Sequence, residues 1–304
     1  MVASSAAYHQ RDPASTVEHA EGASLGAVSC PANRMSSVSG VVRVDVLKAE
    51  AQRITAATDR VAEEVPLEVR LHGEPFSVIM RTPGSDVDLA AGFLFTESVV
   101  RAASDIERIE HGNEANVVNV TLAPHRAADV PDLIGQRRQV AMNSSCGMCG
   151  RRTLESLTID GPPLASRWTV DADTIVRLPH VLRDAQRAFA ETGGLHAAGV
   201  FDTTGALQLS AEDVGRHNAV DKLLGRLLMS GRLPLEDSLL FVSGRSSFEI
   251  VQKAYLGGLP LIAAVSAPSS LAIDLANRAG ITLLGFVRDD RFNVYTHPQR
   301  VKLG

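Results

Sequence analysis

Apolar and polar positions begin to alternate at Val41-Val42-Arg43-Val44-Asp45-Val46, the period of a half-buried strand. Leu67 to Leu71 and Phe76 to Arg81 predict paired strands around His72-Gly73-Glu74-Pro75. Ser85, with Asp86 and Asp88 behind it, predicts a capped helix start where carboxylates meet the positive end of the helix dipole. Ile106 to Ile109 and Val117 to Leu122 predict a further hairpin joined around Gly112-Asn113. This part of the chain reads as α+β.

Past residue 172 the rhythm changes. A helix is expected from Val176 to Thr192, with Pro179 near its start and a stop at Gly193-Gly194. Strands are expected at Ala197–Phe201, Leu207–Leu209, 239–243, 260–266, 282–287 and 293–296, and helices at 217–229, 247–256 and 270–279. Leu239-Leu240-Phe241-Val242 and Leu261-Ile262-Ala263-Ala264-Val265 are apolar throughout, as strands covered on both faces are. Such alternation predicts a three-layer α/β sheet over 173–304, beside a smaller α+β subdomain at 41–135. Residues 136–172 form a linker expected to be a mobile loop. Residues 1–40, rich in Ala, Ser and Gly with a single leucine, read as a disordered tail.

Composition narrows the function. The 304 residues carry 30 Lys+Arg against 35 Asp+Glu, a net charge of −5 that gives no general attraction to nucleic acid or anionic lipid. Aromatics make up 4 %, too few for a base-stacking platform along a strand of nucleic acid. The longest uncharged run, Ala254 to Ile273, is broken by Gly257, Gly258, Pro260 and Pro268, so no membrane span is expected. Arg11, Asp12, Glu18 and Glu21 interrupt any signal-peptide pattern, and the expected location is cytoplasmic. Three cysteines cannot form a disulfide framework.

Two of those cysteines stand in Asn143-Ser144-Ser145-Cys146-Gly147-Met148-Cys149-Gly150, between Arg137-Arg138 and Arg151-Arg152. Flanking glycines leave the backbone open, and the guanidiniums favour a nucleophilic thiolate. Half of a zinc site and a thioredoxin-like dithiol are the competing readings. Tetrahedral zinc wants a second pair of ligands, whereas the remaining cysteine is Cys30 in the tail. His19-Ala20-Glu21 and His72-Gly73-Glu74 imitate the H-x-E of zinc deaminases, but Ser145 replaces the proline that should precede the cysteine. No resident metal is expected.

A second group of residues suits an anion. Ser243-Gly244-Arg245-Ser246-Ser247-Phe248-Glu249 leads from a buried strand into a helix, and Ser246 with Glu249 matches a capping box. Ser266-Ala267-Pro268-Ser269-Ser270 repeats the arrangement one strand later, with ordinary capping as the bland alternative. Glu212-Asp213-Val214-Gly215-Arg216-His217-Asn218-Ala219-Val220-Asp221-Lys222 puts His217 and Asp221 on one helix face, either beside the same sheet edge or as a plain surface ion pair. His196 follows a glycine pair, and Phe286-Val287-Arg288-Asp289-Asp290-Arg291 follows the last buried strand.

In order, Ser144–Gly150, Thr192–His196, Glu212–Lys222, Ser243–Glu249 and Tyr295-Thr296 resemble the FdhD/NarQ family of sulfurtransferases serving formate dehydrogenase, over residues 41 to 304. The resemblance implies a persulfide on Cys146, loaded by a cysteine desulfurase, with Cys149 stabilising or resolving it. It implies delivery to the molybdenum cofactor in its bis(molybdopterin guanine dinucleotide) form, bound as cargo before insertion into formate dehydrogenase. It also implies a homodimer and a C-terminal cytidine-deaminase-like fold without zinc ligands. The guanine dinucleotide would lie on Arg245, Ser246, Ser247, Ser266, His217, Asn218 and His196, and on the family's binding stretch from Phe286 to Arg291. There Asp289-Asp290 departs from the pattern, since carboxylates oppose phosphate and a glycine would suit the turn. A zinc-binding or dithiol redox protein with a nucleotide-binding α/β domain is the alternative, and a nucleotide-binding module without chemistry is a third.

Overall fold

The expected strands assemble, in a computed structural model that describes residues 35–36, 40–51, 53–137 and 161–303, into two principal sheets. The elements in chain order are β1 (Met35–Ser36), β2 (Val41–Glu50), β3 (Arg53–Ala62), β4 (Val65–Leu71), β5 (Glu74–Arg81), α1 (Asp86–Thr96), β6 (Ile106–His111), β7 (Val117–Leu122), α2 (Pro124–Ala127) and α3 (Val130–Arg137). They continue as β8 (Val170–Asp171), α4 (Ala172–Ala185), α5 (Arg187–Thr192), β9 (His196–Asp202), β10 (Leu207–Asp213), α6 (Arg216–Met229), β11 (Ser238–Val242), α7 (Phe248–Leu256), β12 (Leu261–Ala264), α8 (Ser270–Ala279), β13 (Thr282–Arg288), β14 (Arg291–Thr296) and β15 (Val301–Lys302).

The larger sheet has the order β10-β9-β11-β12-β13-β14. Its centre, β11-β12-β13, is parallel, whereas β9, β10 and β14 pair antiparallel. Alternate residues of β11 face opposite layers. Leu240 and Val242 join the core shared with α6, α7 and α8, while Leu239 and Phe241 join the core under α4. That double burial explains the uninterrupted apolar strand runs. The smaller sheet is β5-β4-β7-β6, with β4 and β7 parallel.

Three local expectations change. Ser85 adopts a left-handed φ of 55° and makes no side-chain cap to α1. Its hydroxyl accepts from Arg226, while Asp86 takes a two-pronged bond from buried Arg81 at 2.9 and 2.8 Å. The helix expected from Val176 to Thr192 is two helices broken at Gln186, whose φ and ψ of −84° and 80° leave the helical region. Within the segment expected to lack structure, Met35–Ser36 pair antiparallel with β2. The full length of β3 is also added to the expected elements; it runs in register with β2 from Val41↔Ala62 to Glu50↔Arg53.

The two sheets are bound through α1 and α6. A Cβ placed on Gly92 would lie 1.8 Å from the Asp221 carbonyl oxygen, and one on Gly225 would lie 1.9 Å from that of Asp88. The helices therefore touch backbone to backbone, and a single hydrophobic core runs from Leu67 and Leu89 to Leu223 and Ile262. Polar groups fasten the same seam. Asp221, on α6, accepts from Lys253 at 2.6 Å and from Thr96 at 2.9 Å, all three buried. Burial raises the Asp221 carboxyl above its ordinary range, and Lys253 followed by the Thr96 hydroxyl pulls it back.

Gly225→Ala should lower stability by about 1–3 kcal/mol or more, because backbone atoms cannot rotate aside as a side chain can. Calorimetric melting checks this, and an unchanged Tm would show that the helices slide apart freely. Lys253→Met should cost about 3–5 kcal/mol at neutral pH by leaving a buried carboxylate without its counter-charge. The pH sign follows from a folded-state pKa raised above the ordinary 3.8. Ionising such a group penalises folding at higher pH and not below 3.8, so the Tm deficit against the unaltered chain should grow as pH rises from 4 to 7. An equal deficit at both ends would exclude the carboxyl as its source.

Candidate functional site

Because β11, β12 and β13 are parallel, their carboxyl ends open on one edge of the sheet, the usual place for ligands in such folds. β9 runs antiparallel to β11 and so delivers its first residue, His196, to that edge, and β10 delivers Asp213 there. The connecting segments are stitched into a continuous floor. Ser243 donates its N–H to Ala197 O and accepts the Ala197 N–H on Oγ at 2.9 Å. Ser269 N–H donates to Ser246 O, and Phe286 N–H donates to Ser266 O.

His217, in the first turn of α6, is 7 % exposed. Its Nε2 lies 2.8 Å from Glu249 Oε2 and 3.0 Å from Ser247 Oγ. The expected capping box does not form. Ser247 occupies the N-cap position of α7 without a side-chain cap, and Glu249 turns to the histidine instead of back to Ser246. Ser246 Oγ and Glu249 Oε1 are left buried with no hydrogen-bond partner among the described residues. Orphaned polar atoms of this kind are costly unless a ligand or water completes them. Ser269 does cap α8, accepting from Ala272 N–H at 3.2 Å, so there the bland reading holds.

Positive charge collects at the same edge. Burial depresses the His196 pKa most, and Arg216, His217 and Arg245 depress it further against the pull of Asp213. His196 is thereby biased toward the neutral imidazole. A Cβ on Gly244 would lie 3.3 Å from His196 Nδ1 and 3.5 Å from Arg216 Cδ, so this glycine lets the loop approach both. Arg245 is exposed beside it. Chemically the edge offers helix N–H groups of α7, cations and the unpaired Ser246 hydroxyl to an anion, while Glu249 Oε1 calls for a hydrogen-bond donor.

The Glu212–Lys222 stretch divides between scaffold and site. Asp213, fully buried, accepts from Thr82 N–H, Lys222 Nζ, Gly215 N–H and Asn218 Nδ2. Asn218 also donates to Met80 O at 2.8 Å, so its amide is committed to the scaffold. Glu212 accepts the Ala188 and Phe189 N–H groups at 3.1 and 2.8 Å and thereby holds the start of α5. Arg216 and His217 remain at the edge.

The last stretch divides as well. Val287 is in the core under α4. Phe286 and Asp289 both have φ of 55°, Arg288 stands 5.6 Å from the Phe286 ring, and Arg288 to Arg291 are exposed in the turn to β14. Asp289 adopts a left-handed φ at which glycine would be relaxed. Cys146 and Cys149 lie outside the described residues. Among the described residues, no three His, Cys, Asp or Glu side chains gather as a metal site would require. His72, of the deaminase look-alike, sits in the β4–β5 turn and accepts the Leu122 N–H on Nε2. Among the described residues no helix is long and apolar enough to cross a membrane.

Comparison with known proteins matches this arrangement. The model of the FdhD/NarQ family covers residues 62–302. The sulfur carrier protein FdhD of Streptomyces avermitilis is 46 % identical over 277 residues, covering 86 % of this chain and 95 % of the relative. That of Sulfurisphaera tokodaii is 44 % identical over 264 residues, covering 86 % and 99 %. A formate dehydrogenase accessory protein from Desulfotalea psychrophila, solved by crystallography, superposes with a TM-score of 0.69 at 26 % identity, covering 86 % of this chain and all of that one. With the family match spanning both sheets and every loop of the edge, the chain belongs to the FdhD/NarQ family.

Proposed function

We propose that the chain is a sulfur carrier serving formate dehydrogenase, with Cys146 as the carrying thiol and the sheet edge as the seat of a guanine-dinucleotide molybdenum cofactor. The observation that carries the reading is the pairing of a family match through the Cys146 motif with an edge whose cations and unpaired Ser246 hydroxyl suit phosphate. The Cys146 thiolate attacks the outer sulfur of a persulfide on a cysteine desulfurase. A bond forms between Cys146 Sγ and that sulfur, and the desulfurase cysteine leaves as a thiolate. The Sγ–S bond then breaks, Cys146 leaves as a thiolate, and the outer sulfur passes to the cofactor, which is cargo and not a resident group; the two electrons that turn sulfane sulfur into bound sulfide come from the cargo's reduced metal, before its insertion into formate dehydrogenase. Cys149 stabilises or resolves the persulfide. The mixed sheet with helices on both faces supports a cytidine-deaminase-like assignment for the C-terminal part, and we place a homodimer in the cytoplasm as the working form.

Arg245, His196, Arg216 and His217 supply charge and hydrogen bonds to the phosphates, with Ser246 and Ser247 at the start of α7. Ser266 and the Phe286–Arg291 stretch border the same floor.

Incubation with a cysteine desulfurase and cysteine should add about 32 Da, removable by reductant, at Cys146. An adduct confined to Cys30, or none, would end the carrier reading. Arg245→Ala should weaken GDP binding by roughly 10- to 150-fold in a calorimetric titration, the worth of a charge-assisted hydrogen bond. Unaltered affinity would remove the Gly244–Ser247 loop from the site.

A further inference from the structure

The larger sheet ends on one side at β10, which pairs with β9 alone among the described residues. A slot of about 290 Å³ runs along that outer strand from Leu209 to Glu212. Ala188 and Leu195 wall it on the α5 side, and Leu223 and Arg226 wall it on the α6 side. The segment from Thr82 to Ser85 joins it where the Thr82 N–H donates to Asp213.

The main chain of β10 presents a strand's pairing groups to this slot. Ala197, opposite Glu212, donates its N–H to Ser243 Oγ and accepts the Ser243 N–H on its carbonyl. Glu212 therefore turns its own N–H and C=O away from β9, and by alternation so does Ser210. The Glu212 carbonyl accepts from Lys222 Nζ at 3.3 Å, which closes the ladder at that end. The Ser210 N–H, the Ser210 C=O and the Glu212 N–H meet no hydrogen-bond partner among the described residues. Residues two apart on a strand stand about 6.7 Å from each other, a repeat that another extended main chain reproduces and a small ligand does not.

The walls add side-chain requirements, because successive residues of a strand laid here would face the α5 and α6 sides in turn. Toward α5 they meet Ala188 and Leu195, which suit an apolar residue. Toward α6 they meet Arg226, whose Nε and Nη2 are taken by Asp88 and Ser85, so that Nη1 keeps its donors for a carboxylate. The Glu212 carboxylate pins the N–H groups of Ala188 and Phe189, so the slot is formed before anything enters it.

We infer that the slot takes an extended segment of apo formate dehydrogenase as a seventh strand of the six-stranded sheet, with an apolar side chain at Leu195 and an acidic one at Arg226. The inference rests on the carrier reading proposed above. Of a carrier's two partners, the acceptor must meet the cargo at the sheet edge, whereas the desulfurase must meet Cys146. β10 leads from the slot to that edge, since Glu212 is followed by Asp213, whose carboxylate holds Gly215 and Asn218 at the start of α6.

Interferometry of the full chain against apo formate dehydrogenase tests this. Ser210→Pro removes one outward N–H and leaves the ladder to β9 intact, and it should weaken the complex about tenfold. Ala188→Phe fills the slot from α5 without altering β10 and should weaken it to a similar extent, which decides the matter if the proline variant melts early. Ser210→Ala keeps the N–H and should bind as the unaltered chain does. A complex indifferent to both Ser210→Pro and Ala188→Phe would overturn the slot and leave the carrier reading standing. A Ser210→Pro chain whose mass in light scattering falls from that of a dimer to that of a monomer would give the slot to a second copy and overturn the proposal as well. An unaltered chain that binds no formate dehydrogenase would sink the carrier reading, and the slot's partner with it.

Discussion

The contact on which the rest of the structure depends is the backbone crossing of α1 and α6 at Gly92 and Gly225. It sets how closely the smaller sheet approaches the larger one. With it, Met80 of β5 and the adjoining Thr82 come within hydrogen-bond reach of Asn218 and Lys222 on α6 and of Asp213 at the end of β10. The carboxylate of Asp213 has four donors around it, one from the residue after β5 and three from the start of α6. A fully satisfied buried network of this kind is rigid and geometrically specific, and it sits directly below the first turn of α6. His217 and Arg216 inherit their positions from it.

The edge is the counterpart of that satisfaction. Where Asp213 is met by four donors, the loop from Ser243 to Glu249 leaves two oxygens buried and unmatched, close to the charges that act on His196. Such an imbalance is what a binding site retains and a purely structural helix start does not need. The contrast with Ser269, whose hydroxyl simply caps α8 one strand away, shows that the local sequence pattern alone does not decide which helix start is capped and which keeps an unpaired hydroxyl.

Much of this was legible in the chain. Strands such as Leu239–Val242 announced their double burial by being apolar throughout, and the parallel pairing of β11 with β12 brought both loops to one edge as expected. What could not be read depends on partners distant in sequence. Glu249 is three residues from Ser246, yet its bond goes to His217, and nothing local signals that competition. Asp221 was legible as the helix neighbour of His217, but Lys253 and Thr96 claim it from other elements. β3 carries Thr, Ala, Arg and Asp with nearly every position exposed, so no apolar alternation marks it; its pairing with β2 alone defines it. The break at Gln186 carries no glycine or proline to announce it.

His196 ties two equilibria together. Its ring is kept neutral partly by the charges of Arg216, His217 and Arg245. An anion seated among those cations cancels part of their field, and the imidazole then holds a proton more readily. Thermodynamic reciprocity requires the converse: protonating His196 strengthens the grip on the anion by the same factor. On the proposed function, loading the edge with phosphate would therefore draw a proton from the medium, and mild acidity would favour loading over release.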